Sequence, residues 1–283
     1  MTQSPLLPLV VEARAVAEAT AGMALADSPV RIVDLRPRDA WLQARAPGAV
    51  HLDASWLNRP APPVGGLLPT VERVREIVAA IGMTADTHIV ACDAGAATEA
   101  ARLVWVLNAY GFTHCSWLNG GFRSWQSSGL PVESAEPGTA TTDSAANELV
   151  SLERAGDGPT VSADALLGEL DAPDLAIIDV RSAAEYAGTD VRAAMGGHVP
   201  GAVHLEWTRL FGTDGRLLDD AELRALLGAV DATPDRRAVV YCQTHQRSAV
   251  TYVALKHLGY ASVRALDGAW SMWGNRPDLP KES

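Results

Sequence analysis

Short apolar, β-branched runs alternate with longer segments of helical period along most of the chain. Arg31–Leu35, His88–Cys92, Leu175–Val180 and Ala238–Tyr241 have the composition of buried strands. Pro37–Arg45, Val71–Ile81, Ala183–Ala187, Ala221–Val230 and Ser248–Leu258 read as helices, the last with apolar positions at Val250, Val253, Ala254 and Leu258. Strand–helix alternation predicts an α/β fold, a mainly parallel sheet with helices on both faces. In such sheets loops at the carboxyl ends of the strands carry the site.

The pattern occurs twice. Ile32-Val33-Asp34-Leu35-Arg36 returns around Ile178-Asp179-Val180-Arg181, and Ala46-Pro47-Gly48-Ala49-Val50-His51-Leu52 returns as Val199-Pro200-Gly201-Ala202-Val203-His204-Leu205. Leu118-Asn119-Gly120-Gly121-Phe122 with Trp125 returns as Leu266-Asp267-Gly268-Ala269-Trp270 with Trp273. The offsets are 145, 153 and 148, so the second copy carries about eight extra residues within Gly188–Gly197. Between the copies, 133–159 is rich in Ala, Ser, Thr and acidic residues without apolar period, as a linker is. The expected organisation is a first domain at 1–132, that linker, and a second domain at 160–283.

With 283 residues the chain suits two domains of ordinary size, and 48% hydrophobic residues allow each a core. A net charge of -11 argues against nucleic acid or an anionic membrane as partner. The Leu6–Val11 run is broken by Pro8 and lacks a basic flank, so no signal peptide or membrane span is expected and the cytoplasm is the expected compartment. Cys92, Cys115 and Cys242 form no C-x-x-C pair, and the seven histidines are scattered. Neither a disulfide framework nor a metal site is expected.

Cys242 ends a strand and is followed by Gln243-Thr244-His245-Gln246-Arg247 and a helix that begins near Ser248. Backbone N–H groups and the positive end of a helix stabilise a thiolate there. Arg247 adds a permanent charge suited to an incoming sulfonate-like anion. A buried core cysteine is the plain alternative, but four polar or charged residues follow Cys242 at once.

Asp179-x-Arg181, Gly197-His198-Val199-Pro200-Gly201-Ala202, Cys242-x4-Arg247, Gly259-Tyr260 and Leu266-Asp267-Gly268, in this order and within a duplication, resemble the tandem-domain rhodanese family of sulfurtransferases. The Cys-Gln-Thr-His-x-Arg-Ser loop resembles that of a bacterial subgroup. The resemblance implies two rhodanese-like domains and a sulfane sulfur carried on Cys242 as a persulfide. Its donor would be thiosulfate or a similar anion, its acceptor cyanide or a thiol, protein thiols included, with no cofactor. Persulfide and donor would be held by Gln243, Thr244, His245, Gln246, Arg247 and Ser248, and Arg181 would help to bind the donor. A carrier or sulfide sensor without turnover is the alternative. Phosphatases of related fold resemble Cys-x5-Arg, one residue longer than here, and 3-mercaptopyruvate enzymes resemble Cys-Gly-Ser-Gly-Val-Thr, so both fit less well.

Other positions have mainly structural expectations. Asp179 pairs with Arg181, Glu185 and Tyr186 fix the following helix, His198 belongs to a turn, and Trp270 and Trp273 pack in the core, where their counterparts are Phe122 and Trp125. His245 either tunes the thiolate or points outward. In the first copy either Asp93 or Cys92 aligns with Cys242, and in both registers Ala-Gly-Ala-Ala-Thr lacks the arginine. The first domain is therefore expected to be noncatalytic, with Cys92 and Cys115 structural.

Overall fold

The computed structural model describes residues 6–22, 28–135 and 158–283. The expected linker at 133–159 lies mostly outside the described residues. Each copy forms a five-stranded sheet whose strands are parallel throughout. In the first the spatial order is Val10–Val11, Cys115–Leu118, His88–Cys92, Val30–Asp34, Val50–His51. In the second it is Thr160–Val161, Val263–Leu266, Arg237–Tyr241, Leu175–Asp179, Val203–His204, the same order element for element. The strands at the centre of each sheet are His88–Cys92 and Arg237–Tyr241, whose apolar runs are buried on both sides.

Local chemistry sets the helix starts. Thr70 and Ser162 accept N–H bonds at the starts of Val71–Ala80 and Ala163–Leu167. Ser182 with Glu185, and Asp219 with Glu222, form reciprocal capping boxes for Ala183–Tyr186 and Asp220–Gly228. Helix Arg247–His257 is buried well beyond the apolar positions named from its sequence. Ser248, Thr251 and Tyr252 are buried together with Ala249, Val250, Val253, Ala254 and Leu255. A helix buried nearly all round sets its own first turn, and with it the preceding loop, rigidly in protein.

The two copies repeat their supports as well as their strands. Asp34 clamps Arg36 through Nε (3.0 Å) and Nη2 (2.6 Å), with the guanidinium 3.7 Å from the Phe122 ring centre. Asp179 clamps Arg181 in the same way, and Trp270 takes the place of Phe122 at 4.5 Å. Trp125 and Trp273 each donate Nε1–H to a proline carbonyl, Pro131 and Pro280, from the core of their copy.

Two compact units result, but they are not two continuous stretches. The second unit comprises Asn58–Leu68 together with 155–213 and 217–283, while 214–216 belongs with the first. Asn58–Leu68 lies in the first repeat by sequence and packs with the second unit. It holds an antiparallel hairpin, Arg59–Ala61 against Val64–Leu67, that the alternation did not predict. Hydrogen bonds from distant residues hold it in the second unit: Gly65 N–H donates to Ser271 Oγ (2.9 Å), Ser271 Oγ donates to Gly65 O (3.0 Å), and Leu68 N–H donates to Asp267 (3.0 Å). Among the described residues no helix is long and apolar enough to cross a membrane.

Candidate active site

Strand Arg237–Tyr241 ends one residue before Cys242, and the helix resumes at Arg247. The loop is pinned from behind: Trp270 N–H donates to Cys242 O (2.9 Å) and Ser271 N–H to Gln243 O (3.0 Å). These bonds turn the loop carbonyls toward the short helix Ala269–Trp273. The amides of Gln243, Thr244 and Gln246 have no acceptor among the described residues. Donors fixed in this way constitute an anion cradle. The Gln243 side chain donates to Arg192 O (2.9 Å) and that of Gln246 to Asn58 Oδ1 (3.1 Å), so both amides tie the loop to its surroundings. Gly66 of the hairpin lies flat on the loop. A Cβ there would stand 1.9 Å from the Thr244 carbonyl oxygen.

Cys242 is 1% exposed, and its company is polar. Ser248 Oγ lies 3.4 Å from Sγ, and His245 Nδ1 lies 2.6 Å from the same Oγ. His245 is fully buried and adopts φ +54°, a left-handed conformation that turns its ring inward. Of the two orientations open to it from sequence, the structure has the inward one. Gln243, Thr244, Gln246 and Arg247 are partly exposed, whereas Ser248 is buried.

Arg247 is held end-on by Glu185, with Nη1 to Oε2 at 2.6 Å and Nη2 to Oε1 at 2.8 Å. Hydrogen bonding to Glu185 raises the guanidinium's pKa further, against the effect of burial. Burial pushes the Glu185 carboxyl upward. Hydrogen bonds from Arg247 and the Ser182 N–H outweigh it and bring the carboxyl down to about 2. Glu185 thus does more than cap its helix, because the same carboxylate aims the loop arginine. Its 62-residue separation from Arg247 gave no signal in the sequence.

Arg181 makes the pair with Asp179 that the sequence led us to expect. Its guanidinium is 1% exposed, chelated by Asp179, bonded to Gly197 O (2.7 Å) and laid over Trp270. Each of these contacts ties it to the scaffold. The hairpin residues Gly65 and Gly66, with Ser271 and Asn58, are the loop supports that the sequence reading missed. The Gly-Gly pair after Pro62-Pro63 was the available sign, since adjacent glycines permit close backbone approach.

The first copy shows what the loop lacks there. Asp34 pairs with Cys92 across its sheet as Asp179 pairs with Tyr241, so Asp93 stands where Cys242 does. Asp93 is buried and accepts from Gly95 N–H (2.8 Å) and Ala100 N–H (3.3 Å). Burial raises its pKa to about 6, with the Gly95 bond acting in the other direction. Thr98 occupies the place of Arg247. Burial also raises the other two thiols, Cys115 to about 12 and Cys92 well above its usual value.

Comparison with known proteins agrees with this arrangement. A family model described as a rhodanese-like domain matches residues 17–128 and again 162–276. The chain is 36% identical over 276 residues to a thiosulfate sulfurtransferase of Azotobacter vinelandii, covering 98% of this chain and 97% of that one. It is 33% identical over 276 residues to a thiosulfate sulfurtransferase of Pseudomonas aeruginosa, with coverage of 98% and 97%. Among solved structures, a 3-mercaptopyruvate sulfotransferase from Escherichia coli superposes with a TM-score of 0.78 at 26% identity, covering 93% of this chain and 99% of the other. Two matched domains of one fold, and relatives aligned from end to end, establish that the chain belongs to the rhodanese family as a tandem-domain member.

Proposed function

We propose that the protein is a sulfurtransferase that moves a sulfane sulfur from thiosulfate to a thiol or cyanide acceptor through a persulfide on Cys242. One observation carries the reading: Cys242 follows a central strand directly and opens a five-residue loop, 242–246, with open amides and an aimed arginine at the start of the next helix. Cys92 and Cys115 have no such surroundings. The full-length likeness to thiosulfate sulfurtransferases supports the choice of donor.

In the first step the Cys242 thiolate attacks the outer sulfur of thiosulfate. The S–S bond of the donor breaks and sulfite leaves with the bonding pair. In the second, an acceptor nucleophile attacks the outer sulfur of the persulfide and the Cys242 thiolate leaves. Ping-pong kinetics follow. Arg247, held by Glu185, meets the donor's sulfonate end, and the amides of Gln243, Thr244 and Gln246 stabilise the terminal sulfur anion. Gln243, Thr244 and Gln246 act through their backbone, and His245 and Ser248 act on the cysteine. The first copy, with Asp93 and Thr98 in place of Cys242 and Arg247, takes no part in the chemistry. Three cysteines without a disulfide support a reducing compartment, the cytoplasm.

Mass spectrometry after incubation with thiosulfate tests the reading. The Cys242 peptide should gain one sulfur, about 32 Da, and lose it to cyanide. A folded protein that stays unlabelled at Cys242 overturns it.

A further inference from the structure

Ser248 and His245 stand in an arrangement that the sulfur chemistry alone does not require. Ser248 Oγ bridges Cys242 Sγ at 3.4 Å and His245 Nδ1 at 2.6 Å, and both bridging side chains are fully buried. A hydroxyl carries one proton and can donate it to only one of the two neighbours. When Cys242 is a thiol, S–H donates to Oγ and Oγ–H donates to Nδ1. When Ser248 donates to a thiolate, Nδ1 must carry a proton and donate to Oγ. The two states differ by the concerted transfer of two protons along one line. The left-handed backbone of His245 is what brings Nδ1 onto that line.

We propose that Ser248 and His245 are positioning residues that form a proton relay for Cys242. The S–H bond breaks, with both electrons left on sulfur, as a new O–H bond forms on Ser248. The original Ser248 proton passes to His245 Nδ1, giving a thiolate and an imidazolium joined through the hydroxyl. Reversal returns the proton when the cysteine is released as a thiol. The inference rests on Cys242 being the sulfur-carrying nucleophile, since it explains how a thiol that is 1% exposed reaches its reactive form without losing its proton directly to water.

The test is the rate of Cys242 alkylation by iodoacetamide in the full-length protein from about pH 5 to about pH 10, for the parent, Ser248→Ala and His245→Asn. Asparagine tolerates the left-handed backbone and can accept a hydrogen bond, but it cannot take up a proton. The other charged groups around the loop are Arg247, Glu185, Arg192, Arg181, Asp179 and Asp267. All are kept in the variants, so a difference between profiles belongs to the relay. Each variant should raise the alkylation midpoint by about one pH unit or more, roughly a tenfold loss of rate near neutrality. The double variant should shift it no further, since the two residues act in series. A midpoint unmoved in His245→Asn overturns the relay, even where Ser248→Ala shifts it.

Nitrogen-15 NMR of the parent protein gives a reading that needs no variant. At a pH where Cys242 is a thiolate the His245 ring should be protonated, and at the same pH it should be neutral once Cys242 is alkylated; a neutral ring beside the thiolate refutes the proposal. Thiosulfate labelling of the parent separates the two readings. Labelling with unmoved midpoints removes the relay and leaves the sulfurtransferase, whereas shifted midpoints without labelling do the reverse.

Discussion

Replacing Gly66 by alanine tests whether the hairpin governs the reactive loop. The added Cβ would lie 1.9 Å from Thr244 O, 2.4 Å from its carbonyl carbon and 2.8 Å from its Cα. Favourable non-bonded separations begin near about 3.5 Å, so the two backbones must part by more than about 1 Å. Neither side can yield as a side chain would, because the obstacle is the loop backbone itself. Trp270 and Ser271 hold that loop from behind, while Gly65, Leu68 and Asn58 hold the hairpin in front. Alanine at φ +70° adds about 1 to 2 kcal/mol of backbone strain. Misplacing a reacting group by about 1 Å lowers rates on the order of a hundredfold.

Thiosulfate:cyanide transfer should therefore fall about a hundredfold in kcat/KM, while Tm drops only a few degrees. Gly259→Ala is the control, with φ +84° in the same unit and nothing within 4 Å of its Cβ. It should show the strain without the loss of activity. The reasoning is refuted if Gly66→Ala keeps kcat/KM within about twofold, or if Gly259→Ala loses as much.

Glu185→Gln removes the charge that aims Arg247, so KM for thiosulfate should rise about tenfold with a smaller change in kcat; steady-state kinetics with intact circular dichroism would show it. With its carboxyl brought down to about 2, Glu185 stabilises the fold fully above about pH 4.5 and ceases to do so as the pH falls toward 2, an acid transition that the Gln variant should lack. Asp93 has the opposite sign. With a folded pKa of about 6 against an ordinary 3.8, the folded state binds more protons across that window. Its contribution therefore falls as the pH rises through it, by about 3 kcal/mol in all. The stability difference between Asp93→Asn and the parent, followed by urea unfolding, should shift in the variant's favour from about pH 4 to about pH 6.5, and a pH-independent difference contradicts the buried-carboxyl account. Native-state alkylation near pH 8 followed by peptide mapping should modify Cys242 ahead of Cys92 and Cys115, whose thiols burial pushes upward; equal labelling of Cys115 in folded protein would contradict that contrast.

Local pattern determined a good deal. Strand and helix segments follow from runs and periods of a few residues, and the duplication follows from repeated strings, so the α/β class and the twofold build were legible without coordinates. The strand–loop–helix placement of Cys242 and Arg247 was legible for the same reason, since strand end, loop and helix start are contiguous. Tertiary structure decided the rest. Arg181 carries the same charge as Arg247, yet Asp179, Gly197 O and Trp270 hold it inside the scaffold. Glu185 reads as a capping residue and becomes the partner of an arginine 62 residues away. Asn58–Leu68 belongs to one repeat by sequence and to the other unit by packing. The orientation of His245 depended on one positive φ. A sequence specifies local dihedral preference and apolar period, which act over a turn or two. Which distant backbone meets the loop is settled by packing and hydrogen bonding of the whole fold, and those contacts leave no period to read.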